Sequence, residues 1–225
     1  MLIPNPFAFS YWHFITRLGE MQLLLPAALW ACLALLNQPD TRLLAVHWLQ
    51  ALFVAAGLTL ASKIAFIGWG LGSATLNFTG ISGHAMFAAA IYPLLMAMLT
   101  CRLSVQWERA AVILSFVLVI LVCVSRLMVM AHSVSELVAG FLVGSAVSAY
   151  AVGHIGLPRA KLNFYVPLIL ALWLMVSPLH TPQIPTHSMV THLALVLSGH
   201  TKPHTRNEML HHRHGERLIN REEFF

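Results

Sequence analysis

The chain has 225 residues, of which 58% are hydrophobic and only 9% are Asp, Glu, Lys or Arg. An ordinary soluble domain has about 25% charged residues, so this composition and a mean hydropathy of +0.75 exclude both a soluble globular protein and a disordered chain. A transmembrane helix needs about 20 mainly apolar residues. The length therefore predicts one all-α polytopic membrane bundle of about six transmembrane helices.

The first part of the chain, residues 1–20, alternates aromatic and polar side chains between Pro6 and Glu20. This pattern is typical of a segment that lies in the membrane interface without crossing it. No basic region precedes the first long apolar run, so a cleaved secretory signal is not expected.

Six stretches without Asp, Glu, Lys or Arg follow, and they predict a transmembrane bundle over residues 21–180. Several are shorter than about 20 residues, but flanking aromatic side chains such as Trp107 and Tyr150 suit the interface. The three cysteines have no metal-ligand spacing, which predicts core positions and no metal site. The six stretches are Met21–Leu36, Leu43–Ser62, Ala85–Thr100, Ala110–Ser125, Leu137–Gly153 and Leu162–Leu179.

The last part of the chain, residues 181–225, begins with prolines and the apolar stretch Ser188–Ser198. This stretch is too short for a routine crossing and favours an interfacial or re-entrant helix, with a cramped seventh span as the alternative. A tail rich in histidine and basic residues follows from His200 to Phe225. We predict that this tail is solvated, where its charges can attract anionic lipid headgroups.

Five ionisable residues gather at one end of the predicted bundle. When the spans alternate across the bilayer, the connections after the second and the fourth span reach the same membrane face. Ionisable groups at the edge of an apolar bundle are costly unless they are paired or wetted, so their convergence predicts a functional site. The five residues are Lys63, His84, Arg126, His132 and Glu136.

The stretch Thr79–His84 precedes the third span, with Ser82 placed to cap the helix. A helix N-terminus presents free N–H groups to an anion. Gly83 allows the backbone to approach a ligand closely, and His84 can exchange a proton beside it. Taken alone, however, the tripeptide Ser-Gly-His is more often a capping turn whose histidine hydrogen-bonds to a neighbouring helix.

The stretch Ser125–Glu136 is more informative. Arg126 follows 16 uncharged residues, where a purely structural arginine is costly, and its planar fork fits phosphate oxygens. His132 and Glu136 are four residues apart, so on one helix they share a face. A carboxylate bound to one imidazole nitrogen leaves the other free as a nucleophile. The alternative is that Ser133–Glu136 is only a capping box for the fifth span.

These stretches resemble the three-part signature of the type 2 phosphatidic acid phosphatase family, which reads K-x6-R-P, P-S-G-H and S-R-x5-H-x3-D. The resemblance implies a metal-independent membrane lipid phosphatase without a cofactor. It implies that His132 attacks phosphorus to form a phosphohistidine, Glu136 orients it, and His84 protonates the leaving oxygen. The residues implied to bind the phosphate are Lys63, Ser82, Gly83 and Arg126.

The chain departs from this signature at three positions. Gly70 stands where the family has its arginine, Ile81 replaces the proline before Ser-Gly-His, and Glu136 replaces the aspartate. The first departure removes a phosphate-binding cation, unless Asn77 or His13 supplies a donor. We expect a divergent but active member, with an inactive lipid-phosphate binder as the alternative.

The basic residues of the loops opposite the site predict that these loops are cytoplasmic and that the site faces the periplasm or the cell exterior. We expect the membrane to be a bacterial inner membrane, with the site on the periplasmic side. The basic tail conflicts with this rule, because with six spans it shares the face of the site. Since the charges are divided between two membrane faces, the formal net charge of +5 does not indicate nucleic-acid binding. The opposite basic residues are Arg42, Arg102, Arg109, Arg159 and Lys161.

The expected partners are a phosphorylated lipid substrate and the surrounding membrane lipids. The resemblance suggests phosphatidate, phosphatidylglycerol phosphate or undecaprenyl pyrophosphate as substrates, and the residues do not separate them. A lipid phosphotransferase is the enzymatic alternative, and an anion transporter is the alternative from another class. The ionisable groups lie at one end of the bundle and not near its midplane, which favours an enzyme over a transporter.

Overall fold

The computed structural model describes residues 6–155, 165–180 and 186–211. Over these residues the chain forms helices joined by short connections and no strand, apart from an isolated bridge between Ser73 and Phe78. The prediction of an all-α bundle is confirmed. The helices are α1 (Pro6–Arg17), α2 (Met21–Leu36), α3 (Arg42–Trp69), α4 (Gly83–Thr100), α5 (Val105–Met128), α6 (Val134–Ile155), α7 (Tyr165–His180) and α8 (Thr186–Ser198).

Five described segments are long and apolar enough to cross a membrane, and the first of them begins at Tyr11. The sequence predicts that residues 1–20 lie in the membrane interface. The first candidate span nevertheless includes residues 11–20, because only three residues separate α1 from α2. The sixth predicted span corresponds to α7, which is apolar but has 16 residues. The five segments are Tyr11–Leu36, Pro39–Trp69, Gly83–Thr100, Val105–Met128 and Val134–Ala151.

The uncharged stretches predict that the second span ends before Lys63 and the fourth before Arg126. In the structure both helices continue past these charged residues. α3 runs beyond Lys63 to Trp69, and α5 runs beyond Arg126 to Met128. Gly70 ends α3 in the left-handed conformation at φ 70°, and its N–H donates to the carbonyl of Phe66 at 2.8 Å. Backbone capping at Gly70 therefore ends α3, and Lys63 is a residue within the helix and not its end.

Helix α4 lies in the centre of the bundle and contacts α2, α3, α5, α6 and α7. Most of its side chains between Ala85 and Met98 are buried. Two glycines one turn apart let α6 approach its backbone: a Cβ on Gly140 would lie 2.5 Å from the carbonyl oxygen of Ser82, and one on Gly144 would collide with that of Met86. This G-x3-G spacing brings the first turns of α4 and α6 together.

Tryptophans of neighbouring helices hydrogen-bond to the backbone near two prolines that lie inside helices. Trp48 donates from its indole N–H to the carbonyl of Ala90 at 3.0 Å, three residues before Pro93. Trp173 likewise donates at 2.9 Å to the carbonyl of Leu23, three residues before Pro26. A proline lacks the N–H that would bond to the carbonyl four residues before it, here Ala89 and Gln22, so these turns are weakened. Each tryptophan ties the turn beside its proline to a neighbouring helix.

The outer surface of the bundle is apolar. Large side chains on three helices are mostly exposed, among them Phe53 at 80%, Ile113 at 67% and Met175 at 77%. In water such a surface would be an aggregation hazard. Together with the five long apolar segments it indicates that the bundle is embedded in lipid.

Candidate active site

The connection between α3 and α4, that between α5 and α6, and the chain after α8 all lie at one end of the bundle. The N–H of Ser82 donates to the carbonyl of Glu136 at 3.1 Å, which joins the starts of α4 and α6. The N–H of His204 donates to the carbonyl of Ile67 in the last turn of α3 at 3.0 Å. The site residues predicted from the sequence belong to the elements that meet here.

The side chain of Glu136, in the first turn of α6, binds His132 and also caps the helix. Its Oε2 lies 2.7 Å from Nδ1 of His132. The same oxygen accepts the N–H of Ser133 at 3.2 Å, and the Ser133 hydroxyl accepts the N–H of Glu136 at 3.4 Å. The orienting carboxylate and the capping box, which the sequence presents as alternatives, thus coexist in one side chain. An ionised carboxylate can only accept, so Nδ1 is the donor and Nε2 of a neutral ring keeps its lone pair.

Two residues that sequence reasoning missed complete the surroundings of Glu136. Thr79 donates both its N–H, at 2.8 Å, and its hydroxyl to Oε1. Nη2 of Arg206 lies 2.7 Å from Oε1 and 2.8 Å from Oε2. The carboxylate is fully buried, whereas the Arg206 side chain is 30% exposed. Such a buried charge is tolerated because opposite charge and several donors surround it.

The predicted cations Lys63 and Arg126 lie close enough to act electrostatically on His132. The loop before α4 passes directly against Lys63, since a Cβ on Gly80 would lie 3.0 Å from its Cγ. Burial lowers the pKa of His132; the hydrogen bond to Glu136 raises it, and the charges of Arg126 and Lys63 lower it. The net effect places the pKa below the ordinary value for histidine, which favours the neutral ring that a nucleophile requires.

The first turn of α4 differs in one respect from the sequence interpretation. Ser82 occupies the N-cap position, but its hydroxyl makes no capping hydrogen bond, and its backbone N–H anchors the turn to α6 instead. Beside Gly83 there is space, because an added Cβ would meet only Thr59, at 3.9 Å. His84 packs against the turn between α1 and α2, where a Cβ on Gly19 would lie 3.2 Å from its own Cβ.

Several buried polar atoms in this region have no hydrogen-bond partner among the described residues, among them three that can donate. These three are Oγ of Ser82, Nε of Arg126 and Oγ1 of Thr59. A buried polar group without a partner is costly and usually marks a place where a ligand or water binds. Two hydroxyls and a guanidinium N–H fit a ligand that carries several oxygen acceptors, such as a phosphoryl group.

The replacement of the family arginine by Gly70 has a local explanation. The φ of 70° favours glycine, and a Cβ there would lie 3.2 Å from Nδ1 of His204. An arginine that sequence reasoning missed, Arg206, lies at the site and contacts Glu136; a donor role for Asn77 or His13 stays a prediction. Arg206 lies 70 residues from Glu136 along the chain, in a tail predicted to be solvated, and no spacing pattern links the two. That prediction is wrong for Arg206, because its side chain packs on a buried carboxylate.

Part of the predicted basic surface lies outside the described residues. This holds for Arg159 and Lys161 of the opposite loops and for the tail beyond residue 211. Of the other opposite residues, Arg42 begins α3, and Arg102 and Arg109 lie where α4 is joined to α5. These three are therefore at the end of the bundle away from the site.

Comparison with known proteins agrees with the site. Residues 65–155 match the family model of the PAP2 superfamily, a range that begins two residues after Lys63 and includes the other predicted site residues. Over 210 residues, covering 88% of this chain and 97% of the relative, the chain is 36% identical to the "Uncharacterized 22.5 kDa protein in cps region" of Klebsiella pneumoniae. No solved structure matches the chain. The site geometry and these similarities lead to one conclusion: the chain belongs to the PAP2 superfamily, whose enzymes are of the phosphatase type.

Proposed function

We propose that the protein hydrolyses the phosphomonoester or pyrophosphate group of a membrane lipid through a phosphohistidine, without a metal ion. The observation that carries this proposal is the 2.7 Å contact between Nδ1 of His132 and the buried carboxylate of Glu136. A histidine held in this way, with two cations acting on it, is arranged for attack on an electron-poor centre that bears negative oxygens.

In the first step, Nε2 of His132 attacks phosphorus while the bond between phosphorus and the leaving oxygen breaks. His84 gives its proton to that oxygen, so the lipid alcohol or phosphate leaves neutralised. The Nδ1 proton stays hydrogen-bonded to Glu136, which stabilises the positive charge that develops on the ring. The product of this step is a phosphohistidine at His132.

In the second step, His84 accepts a proton from a water molecule that attacks the phosphohistidine. The bond between phosphorus and Nε2 breaks, inorganic phosphate leaves, and both histidines return to their initial states. The phosphoryl oxygens carry charge in both steps, and they are bound by Lys63, Arg126, the hydroxyl of Ser82 and the N–H of Gly83. Positioning and charge neutralisation of this kind supply most of the catalysis in phosphoryl transfer.

A lipid substrate is favoured by where the site lies. It is formed at the ends of helices whose outer surface is apolar, so a phosphate headgroup at the membrane surface can reach it while the acyl or prenyl chains stay in the bilayer. We infer from Arg42, Arg102 and Arg109 at the opposite end that the site faces the periplasm of a bacterial inner membrane. Phosphatidate, phosphatidylglycerol phosphate and undecaprenyl pyrophosphate are the candidate substrates.

The test is phosphate release by purified protein in mixed micelles with these three lipids, in the presence of a chelator. We expect release from at least one lipid, and its complete loss in H132A. H47A is the matched control, because His47 is a half-buried histidine near the start of α3, away from the site. The proposal is refuted if H132A hydrolyses the lipid as fast as the wild type.

A further inference from the structure

The chain after α8, residues 199–206, is fastened to the end of α3. Nδ1 of His200 donates to the carbonyl of Gly68 at 2.6 Å, and the N–H of His204 donates to that of Ile67 at 3.0 Å. The last carbonyls of a helix have no partner within the helix. These residues, which we name the C-terminal segment, therefore cap α3 from outside and follow its end toward the site.

The C-terminal segment delivers Arg206 in a defined position. The N–H of Thr205 donates to the carboxylate of Glu208 at 3.0 Å, and the N–H of Glu208 donates to the hydroxyl of Thr205 at 3.3 Å. This reciprocal pair is a capping box, and it starts a helical turn over residues 206–211. Arg206 is the first residue of that turn, so its backbone is held on both sides.

Arg206 lies directly against the buried carboxylate of Glu136. A single nitrogen, Nη2, lies within 2.8 Å of both carboxylate oxygens and 3.2 Å from the hydroxyl of Thr79. The other contacts of the carboxylate come from Thr79, His132 and Ser133, which are neutral when the His132 ring is neutral. Arg206 thus supplies the permanent positive charge in direct contact with a fully buried negative one.

We propose that Arg206 is a positioning residue of the active site, which holds the carboxylate of Glu136 on Nδ1 of His132 and balances its charge. The core helices lack the motif arginine at Gly70, and on this inference the C-terminal segment is an integral part of the site. Arg206 acts on the nucleophile through Glu136. The inference rests on the proposed function for its kinetic consequences, but the coupling between Arg206 and His132 can be measured without turnover.

The experiment compares R206Q and R206K in the full-length protein, with K202Q as the matched control. Lys202 belongs to the same segment and is exposed, so K202Q removes one positive charge without touching Glu136. We expect R206Q to lower kcat about tenfold or more while KM changes less than threefold. R206K should recover most of the kcat, and K202Q should behave as the wild type.

The second measurement is the titration of His132, followed by NMR of isotope-labelled histidine and assigned by its absence in H132A. Removing a cation beside Glu136 strengthens the negative potential at the ring, so R206Q should raise the pKa of His132 by about one pH unit. The acid limb of kcat against pH should move in the same direction. The charged or titratable groups that face this ring are Lys63, His84, Arg126, Glu136 and Arg206.

The outcomes separate the two proposals. If R206Q leaves both the His132 titration and kcat of an active enzyme unchanged, the positioning role is wrong and the proposed function stands. A higher kcat in R206Q would also overturn the positioning role, because the contact between Arg206 and Glu136 would then be inhibitory. If the wild type releases no phosphate from any lipid but R206Q shifts the titration, the proposed function fails and the coupling is retained.

Discussion

The substitution E136Q separates catalysis from helix capping, because the side chain of Glu136 has both tasks. An amide keeps one oxygen acceptor and replaces the other with a donor. In one orientation the NH2 group faces Nδ1 of His132 and the N–H of Ser133; in the other it faces the N–H and hydroxyl of Thr79. In either case donors oppose donors, and the negative charge next to Arg206 is lost.

The expected effect on turnover is large. In the first orientation the amide cannot accept from Nδ1, which favours the tautomer with the proton on Nε2 and removes the nucleophilic lone pair of His132. In the second orientation the amide oxygen accepts from Nδ1, but the negative charge that stabilises the ring during attack is lost. The corresponding carboxylate-to-amide change in a catalytic triad lowers kcat by about 10⁴-fold, so we expect a decrease of about 10²-fold to 10⁴-fold for E136Q. E136D keeps the charge on an arm shorter by one methylene and should retain an intermediate rate.

S133A is the matched control for capping. It removes the hydroxyl that accepts the N–H of Glu136 at 3.4 Å but keeps the carboxylate. Loss of an N-cap side chain costs about 0.5–2 kcal/mol of stability, and we expect kcat within threefold of the wild type. The assays are phosphate release at saturating lipid, phosphohistidine trapping with labelled substrate, and thermal unfolding in detergent. If E136Q lowered only the unfolding temperature, as expected for S133A, Glu136 would be a capping residue and the mechanism would need another group to orient His132.

The remaining predictions concern packing, pH and the phosphate-binding hydroxyl. G144A should lower the unfolding temperature in detergent, at a cost of about 1–3 kcal/mol, because the added Cβ would collide with a carbonyl of α4. G57A should not lower it, because an added Cβ there has no atom within 4 Å. Equal stability of the two variants would contradict the close packing of α4 and α6. Because the charge of Lys63 lowers the pKa of His132 and activity is lost when the ring becomes protonated, K63M should move the acid limb of kcat/KM to higher pH. An unchanged or lower limb would show that Lys63 does not act on this ring. S82A should raise KM, because it removes a hydroxyl proposed to bind the phosphate. Thermal stability should stay unchanged or rise slightly, since this buried hydroxyl lacks a partner in the described structure. A clear loss of stability would instead indicate a structural role for Ser82.

The helices and the pairing of His132 with Glu136 could be predicted from the sequence, because both are local signals. Long uncharged apolar runs predict spans in any tertiary context, since the bilayer requires every backbone group to be bonded within the helix. The spacing between His132 and Glu136 likewise places the two on one helix face, and the structure gives them a 2.7 Å contact. Helix ends were less predictable, because α3 ends at a glycine in the left-handed conformation and not at Lys63.

The tertiary structure decided which distant segments close the site. Arg206 contacts Glu136 only because the chain after α8 binds the unpaired carbonyls at the end of α3, and nothing local to Arg206 encodes that path. Local sequence likewise does not predict that the turn between α1 and α2 packs against His84, or that Thr79 donates to the carboxylate of Glu136. Apolar periodicity and motif spacing act over a few helical turns, whereas the satisfaction of a buried charge depends on every segment that reaches it.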